Sequence, residues 1–161
     1  MDPAPIVTYG DEVLRRRAED VLEVNEEIRA LIERMYATME ESRGLGLAAP
    51  QIGVSKRVFV YDVGEGKHAV INPRIVKRSG EEYSVEGCLS IPGLQGEVPR
   101  ALRVTLTGLD ESGRKIRIRA EGLLARVFQH EIDHLEGTLF IDRADPDSLQ
   151  YVTDTETSNG E

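Results

Sequence analysis

Two histidines stand four residues apart in His130-Glu131-Ile132-Asp133-His134, where Leu124, Phe128, Ile132 and Leu135 recur at helical spacing. Residues four apart on a helix are neighbours, about 5–6 Å at Cβ, so both imidazoles lie on one face and can share a divalent ion. The pattern calls for a central helix, read over 121–136 with Gly137 as its stop. Glu131 projects from the flank of that face, where it can reach a coordinated water without being a ligand, as a general base must. A polar surface helix gives the same spacing by chance, and the metal reading needs a third ligand.

No histidine follows His134, so the third ligand has to come from elsewhere. Cys88 is the chain's only cysteine and offers a thiolate suited to a borderline-soft ion. A lone cysteine is more often a small buried hydrophobe. Its setting, Glu86-Gly87-Cys88-Leu89-Ser90, favours the ligand, because Gly87 permits close backbone approach. One cysteine and two histidines leave a coordination position open, which marks a catalytic site. A third segment, Gly44-Leu45-Gly46-Leu47-Ala48-Ala49-Pro50-Gln51, is no phosphate loop, since it follows a helix and meets Pro50. Its glycines suit an extended backbone lying close against another group, and Gln51 brings an amide donor.

The rest of the chain frames these segments. Apolar spacing predicts a helix over 25–42, with Asn25 as its cap and Gly44 helping to end it. A shorter helical turn is read over 11–17. Strands are expected over 57–61 and over 69–71 before a turn at Asn72-Pro73, and a hairpin over 102–118 with its turn at 110–113. The expected class is α+β, with antiparallel or mixed sheets packed around the central helix that carries the two histidines. Residues 1–145 are read as one catalytic domain, and 146–161 as a short acidic tail, disordered from Thr153. With 20 Lys and Arg against 29 Asp and Glu, the formal charge is −9, which argues against direct nucleic-acid binding. There is no 18-residue apolar run, so no membrane partner is expected, and a single cysteine favours a reducing compartment such as the cytoplasm.

In this order and spacing, Gly44 to Gln51, Glu86 to Ser90 and Gln129-His-Glu-Ile-Asp-His-Leu-Glu-Gly137 closely resemble the three motifs of the peptide deformylase family. The resemblance covers roughly residues 6–143. It implies a hydrolase that removes the formyl group from the N-terminal formyl-methionine of nascent polypeptides and releases formate. It also implies that Cys88, His130 and His134 bind one divalent metal, Fe²⁺ in the cell with Zn²⁺, Ni²⁺ or Co²⁺ as substitutes, and that Glu131 is the general base and acid. Gln51 and the backbone N–H of Leu89 then meet the oxyanion. The methionine side chain is expected against Leu45, Val85, Leu123 and Val127, with Glu86 and Arg126 at the pocket's edge. Gly44, Gly46 and Gly87 leave room for the substrate backbone, and Ser90, Arg100 and Asp133 are read as supporting residues. Many bacterial members continue into a longer, partly basic C-terminal helix. This chain ends on an acidic segment, so the transient ribosome contact of a monomer is not expected to use such a helix.

Two readings compete with this one. A zinc endopeptidase would use the same helix but leave the glycine and cysteine motifs unexplained. A non-catalytic metal or peptide binder would have no need of Glu131 and Gln51.

Overall fold

The computed structural model describes residues 2–152. Helix α1 spans Glu26–Ser42, and Asn25 caps it by accepting the Ile28 N–H at 3.1 Å, with Glu26 and Glu27 in the first turn. Its buried face carries Ile28, Ile32, Met35 and Met39. The helix is closed by Arg43 in the left-handed region (φ 58°), and Gly44, one residue on, helps to end it by donating to the Met39 carbonyl at 3.1 Å. Before α1, a single 3₁₀ turn at Glu12–Arg15 is capped by Asp11 and buries Val13 and Leu14.

The remaining elements are β1 (Gly46–Ala48), β2 (Val58–Tyr61), β3 (His68–Ser79), β4 (Glu82–Cys88), β5 (Ile91–Arg100), β6 (Arg103–Leu109), β7 (Lys115–Glu121), α2 (Leu123–Leu135), α3 (Phe140–Arg143) and β8 (Gln150–Tyr151). They form a five-stranded antiparallel sheet in the order β1-β2-β3-β6-β7 and a three-stranded one in the order β4-β5-β8. The expected α+β class, with antiparallel sheets and a helix carrying both histidines, is therefore what the chain adopts.

Strand β2 shows how the layers are built. Val58 and Val60 pack with α1, while Phe59 and Tyr61 point the other way and meet Phe128 of α2 at ring-centroid distances of 5.8 and 5.0 Å. Alternation along a strand thus serves two cores at once, because α1 covers one face of β1 and β2 and α2 the other.

Two strands run differently from the sequence expectation. β3 does not stop at Asn72-Pro73: it kinks there, with a register shift between Ile71 and Arg74, and continues to Ser79. Asn72 takes φ 51°, and its side chain accepts the Val21 N–H and donates to the Val21 carbonyl, both at 2.8 Å, so the kink is held inside the sheet. β5 gave no strand pattern, since Pro92, Gly93, Gly96 and Pro99 interrupt it. It forms because β4 pairs with it from Glu82↔Arg100 to Glu86↔Gly96, and β8 takes over at Leu94 and Gln95.

The hairpin β6–β7 stands as expected, with Asp110 Oδ1 accepting the N–H groups of Ser112 and Arg114. Residues 146–152 follow the edge of β5, and the stretch from Thr153 lies outside the described residues. Among the described residues no helix is long and apolar enough to cross a membrane.

Candidate metal centre

Three elements converge on one buried point. The last residue of β4 brings Cys88, α2 brings His130, Glu131 and His134, and the 3₁₀ turn Ala49–Ile52 after β1 brings Gln51. All five side chains are at most 3% exposed. One ligand atom each from Cys88, His130 and His134 fall within 4.8 Å of one another, and the Cys88 sulphur lies 3.3 Å from His134 Nε2.

His130 explains how the cluster is aimed. Its Nδ1 lies 3.0 Å from Glu86 Oε1, which leaves Nε2 directed at the cluster, buried and without a protein hydrogen-bond partner among the described residues. A buried ring nitrogen with no partner is costly unless something else occupies it, and a carboxylate on the far nitrogen is how metal-binding histidines are oriented. The donor set of one thiol and two imidazoles fits a divalent ion of zinc or iron type. His134 Nδ1 has no comparable partner among the described residues.

Behind His130 runs a chain of buried charges. Glu86 accepts two hydrogen bonds from Arg100, at 2.7 and 2.8 Å, and Arg100 donates a third to Asp133 at 2.7 Å. Asp133 in turn accepts from Arg143 at 2.6 and 3.0 Å. Burial alone pushes the Glu86 carboxyl up, but Arg100 and His130 outweigh it and hold it at about 2. Burial also disfavours a proton on His130, yet Cys88 and Glu86 hold its pKa well above the ordinary value. His134 is pushed well below it by burial and then by His130 and Arg100.

Gly46 bears on Glu131. A Cβ at this position would stand 2.6 Å from Glu131 Oε2 and 3.1 Å from its Cδ, so only glycine lets β1 pass this close to the carboxylate. Gln51 is fixed at both ends: its Oε1 accepts the Ala48 N–H at 2.9 Å, while Nε2 donates to Ser90 Oγ at 3.3 Å and to the Cys88 sulphur at 3.7 Å. Gln51 thereby links the cysteine sulphur to Ser90 and to the backbone of β1.

The pocket residues fare unevenly. Val85 and Leu123 are accessible, at 57% and 38% exposure, and Leu45 is half-buried against the core. Val127 packs fully inside the core, and Arg126 is paired with Glu82 at 2.5 Å. Glu86, expected at the pocket's edge, turns its carboxylate inward to Arg100 and His130. Gly87 lies where the Leu94 carbonyl comes within 3.4 Å of a would-be Cβ, and Leu89 follows Cys88 in the turn to β5. One residue was missed from sequence: Gln129, beside His130, accepts the Ala101 N–H and donates to the Ala101 and Ala125 carbonyls, all at 2.9 Å. It ties α2 to the corner between β5 and β6, and a lone glutamine on a helix gives no signal of that.

Comparison with known proteins points to one family. Residues 3–150 match the family model described as polypeptide deformylase. The chain is 56% identical over 140 residues to a peptide deformylase of Carboxydothermus hydrogenoformans, covering 87% of this chain and 92% of that protein. It is 50% identical over 166 residues to one of Thermomicrobium roseum, covering 97% and 94%. The crystal structure of peptide deformylase from Thermotoga maritima superposes with a TM-score of 0.88 at 46% identity, over 91% of this chain and all of that one. The Synechococcus elongatus enzyme in complex with actinonin gives 0.87 at 44%, over 90% and 80%.

Proposed function

The chain belongs to the peptide deformylase family, and on that premise we propose how its own residues divide the work of the reaction. The enzyme is a metal-dependent hydrolase that removes the N-formyl group from the formyl-methionine of nascent polypeptides and releases formate. Cys88, His130 and His134 hold the ion. The observation that carries this is the buried Nε2 of His130, aimed at the cysteine sulphur and His134 and without a geometric hydrogen bond among the described residues. Fe²⁺ is the ion in the cell, with Zn²⁺, Ni²⁺ or Co²⁺ able to replace it. When bound, the ion supplies Lewis acidity that makes a water acidic enough to ionise near pH 7.

Glu131 is the residue placed to take a proton from the water that attacks the formyl carbon. The new C–O bond forms at the formyl carbon, and the negative charge developing on the formyl oxygen meets the Gln51 amide and the Leu89 N–H. As the C–N bond breaks, Glu131 returns its proton to the leaving amine, and formate departs. Support for Glu131 in this role comes from its full burial against Gly46, which limits where its carboxylate can swing. Arg100 acts on the reaction through Glu86 and His130, as a positioning residue.

The methionine side chain lies against Val85, Leu123 and Leu45, with Val127 as the pocket's packed floor and the Arg126–Glu82 pair at its rim. β1 is an edge strand, and the substrate backbone pairs along it past Gly44 and Gly46, while Gly87 keeps the opposite wall low. The third ligand drawn from β4 separates this site from an endopeptidase that uses the same helix with a downstream ligand. In this reading the enzyme works as a cytoplasmic monomer.

The test is formate release from formyl-Met-Ala-Ser beside the acetylated peptide, with wild type and Glu131→Gln. Wild type should release formate and leave acetyl intact. Glu131→Gln should keep one equivalent of metal and lose about 10²–10⁴ in rate. Undiminished turnover in the metal-replete variant would refute the role of Glu131.

A further inference from the structure

The face of the five-stranded sheet that α1 covers over β1 and β2 continues uncovered across β3, β6 and β7. Register places Arg74, Thr107 and Arg117 in one cross-strand row, Lys77, Thr105 and Arg119 in the next, and Ser79, Arg103 and Glu121 in a third. Residues directly opposite in antiparallel strands share a face, so these rows form one surface. The opposite face, with Val104, Leu106 and Ala120, is the one buried toward α2. All the Lys and Arg side chains of the rows are exposed.

Several exposed cations of the chain, Arg29, Arg34 and Arg43 among them, lie within 4 Å of no carboxylate among the described residues, and four such cations gather on this one face. Elsewhere on the surface Arg15, Arg17, Lys56, Lys67 and Arg126 each lie within 4 Å of a carboxylate. On this face only Arg103 does, with Glu121 at 2.9 Å, while Arg74, Lys77, Arg117 and Arg119 have no carboxylate within that distance among the described residues. A chain of net charge −9 has ample acid to neutralise them and places it elsewhere. Lys77, Arg103 and Arg119 also line a cavity of about 360 Å³ with Ser79, Thr105 and Glu121.

We propose that this outer face of β3, β6 and β7 is a docking surface for the phosphate backbone of folded RNA. The choice of RNA rests on the catalytic reading above, because a nascent chain is met on a particle made largely of RNA. The face's own chemistry agrees. Same-face cations on β7 recur every two residues, about 6.8 Å, a spacing of the order of successive phosphates on a strand. The half-buried Thr107, between Arg74 and Arg117, adds a side-chain donor of the kind phosphate oxygens commonly take, while Thr105 is buried. A lipid surface calls for aromatic or leucine anchors beside the charges, and this face offers only the bulged Val76 at its margin and half-buried Leu109.

The net charge of −9, which argued against nucleic acid, does not decide the matter. At about 0.15 M salt the Debye length is roughly 8 Å, so a phosphate at this face feels the local cations. The acidic remainder of the surface then orients the protein, leaving this face as the one that can approach. Because α2 lies on the sheet's other side, an RNA held here leaves the catalytic side chains untouched.

The experiment titrates the metal-loaded full chain against a fluorescein-labelled 20-base-pair RNA duplex at 50 to 200 mM KCl, beside phosphatidylcholine–phosphatidylglycerol vesicles. Wild type should bind the duplex with a log–log salt slope of about −3 to −4. Arg117→Glu/Arg119→Glu should weaken binding at least tenfold and flatten the slope by about 2, with formate release from formyl-Met-Ala-Ser within twofold of wild type. Arg29→Glu/Arg34→Glu on α1 carries the same charge change and should weaken binding less than threefold. No duplex binding at 50 mM KCl, equal losses in the two variants, or tighter binding to the vesicles than to RNA would each overturn the proposal. Failure of wild type to release formate would instead strike the catalytic reading, and the RNA titration would be read separately.

Discussion

Behind the histidines, Arg100 is 4% exposed and gives three hydrogen bonds to Glu86 and Asp133, whereas across the sheet Arg117 and Arg119 stand in solvent without a carboxylate within 4 Å among the described residues. Both regions are built from arginines on strands, and they differ in what burial demands. An ion taken out of water costs several kcal/mol unless its hydrogen bonds are matched, so the inner arginine is tied donor by donor. An exposed guanidinium stays hydrated at little cost and need not be paired. The inner network therefore fixes the geometry of His130 and the residues proposed as metal ligands, and the outer charges stay exposed to solvent.

The comparison breaks most visibly at Arg100. Arg100→Met leaves the Glu86 and Asp133 carboxylates buried with fewer partners and should lower unfolding free energy by about 3–5 kcal/mol in urea titration, far more than Arg117→Met, which should stay within about 0.5 kcal/mol. Equal effects at the two positions would erase the distinction. Next in size is Gly46→Ala, whose added methyl displaces the Glu131 carboxylate. Turnover should fall about 10²-fold with metal content unchanged, measured by formate release and metal analysis together.

The smallest effect sits between the two regimes, at Asp142. Burial raises its carboxyl, but Arg15 and the Leu139 N–H outweigh it and hold it below the ordinary value. A depressed carboxyl stabilises the fold fully above the unfolded pKa of about 3.9, and the gain is lost as pH falls through the folded value. Since Arg15 and Asp142 are 42% and 37% exposed, screening should keep the cost of Asp142→Asn below about 1 kcal/mol at pH 7, and the difference from wild type should fade as pH drops below about 4. A difference that grows on acidification would contradict the assigned sign.

Much of the site was legible because its chemistry is local in sequence. The HExxH spacing, the single cysteine between glycine and leucine, and the glycine segment ending on Gln51 each announce themselves, and the capped helix α1 and the hairpin β6–β7 follow from periodicity and turn residues. What escaped depends on pairing between distant segments. β5 carries two prolines and two glycines and exists because β4 and β8 flank it. β3 passes Pro73 because Asn72 is held by Val21, fifty-one residues away. The inward turn of Glu86 and the bridge made by Gln129 are equally nonlocal, and the cationic face emerges only when register aligns three strands.

The most direct test of the metal centre is X-ray absorption at the zinc edge of protein loaded with one equivalent of Zn²⁺, compared with Cys88→Ala. One sulphur at about 2.3 Å and two imidazole nitrogens at about 2.0–2.1 Å are expected, with a light-atom ligand in the fourth position, and the sulphur shell should vanish together with stoichiometric binding in the variant. A shell of nitrogen and oxygen alone in wild type, or full zinc occupancy in Cys88→Ala after dialysis, would contradict the assignment of Cys88, His130 and His134 as the ligands.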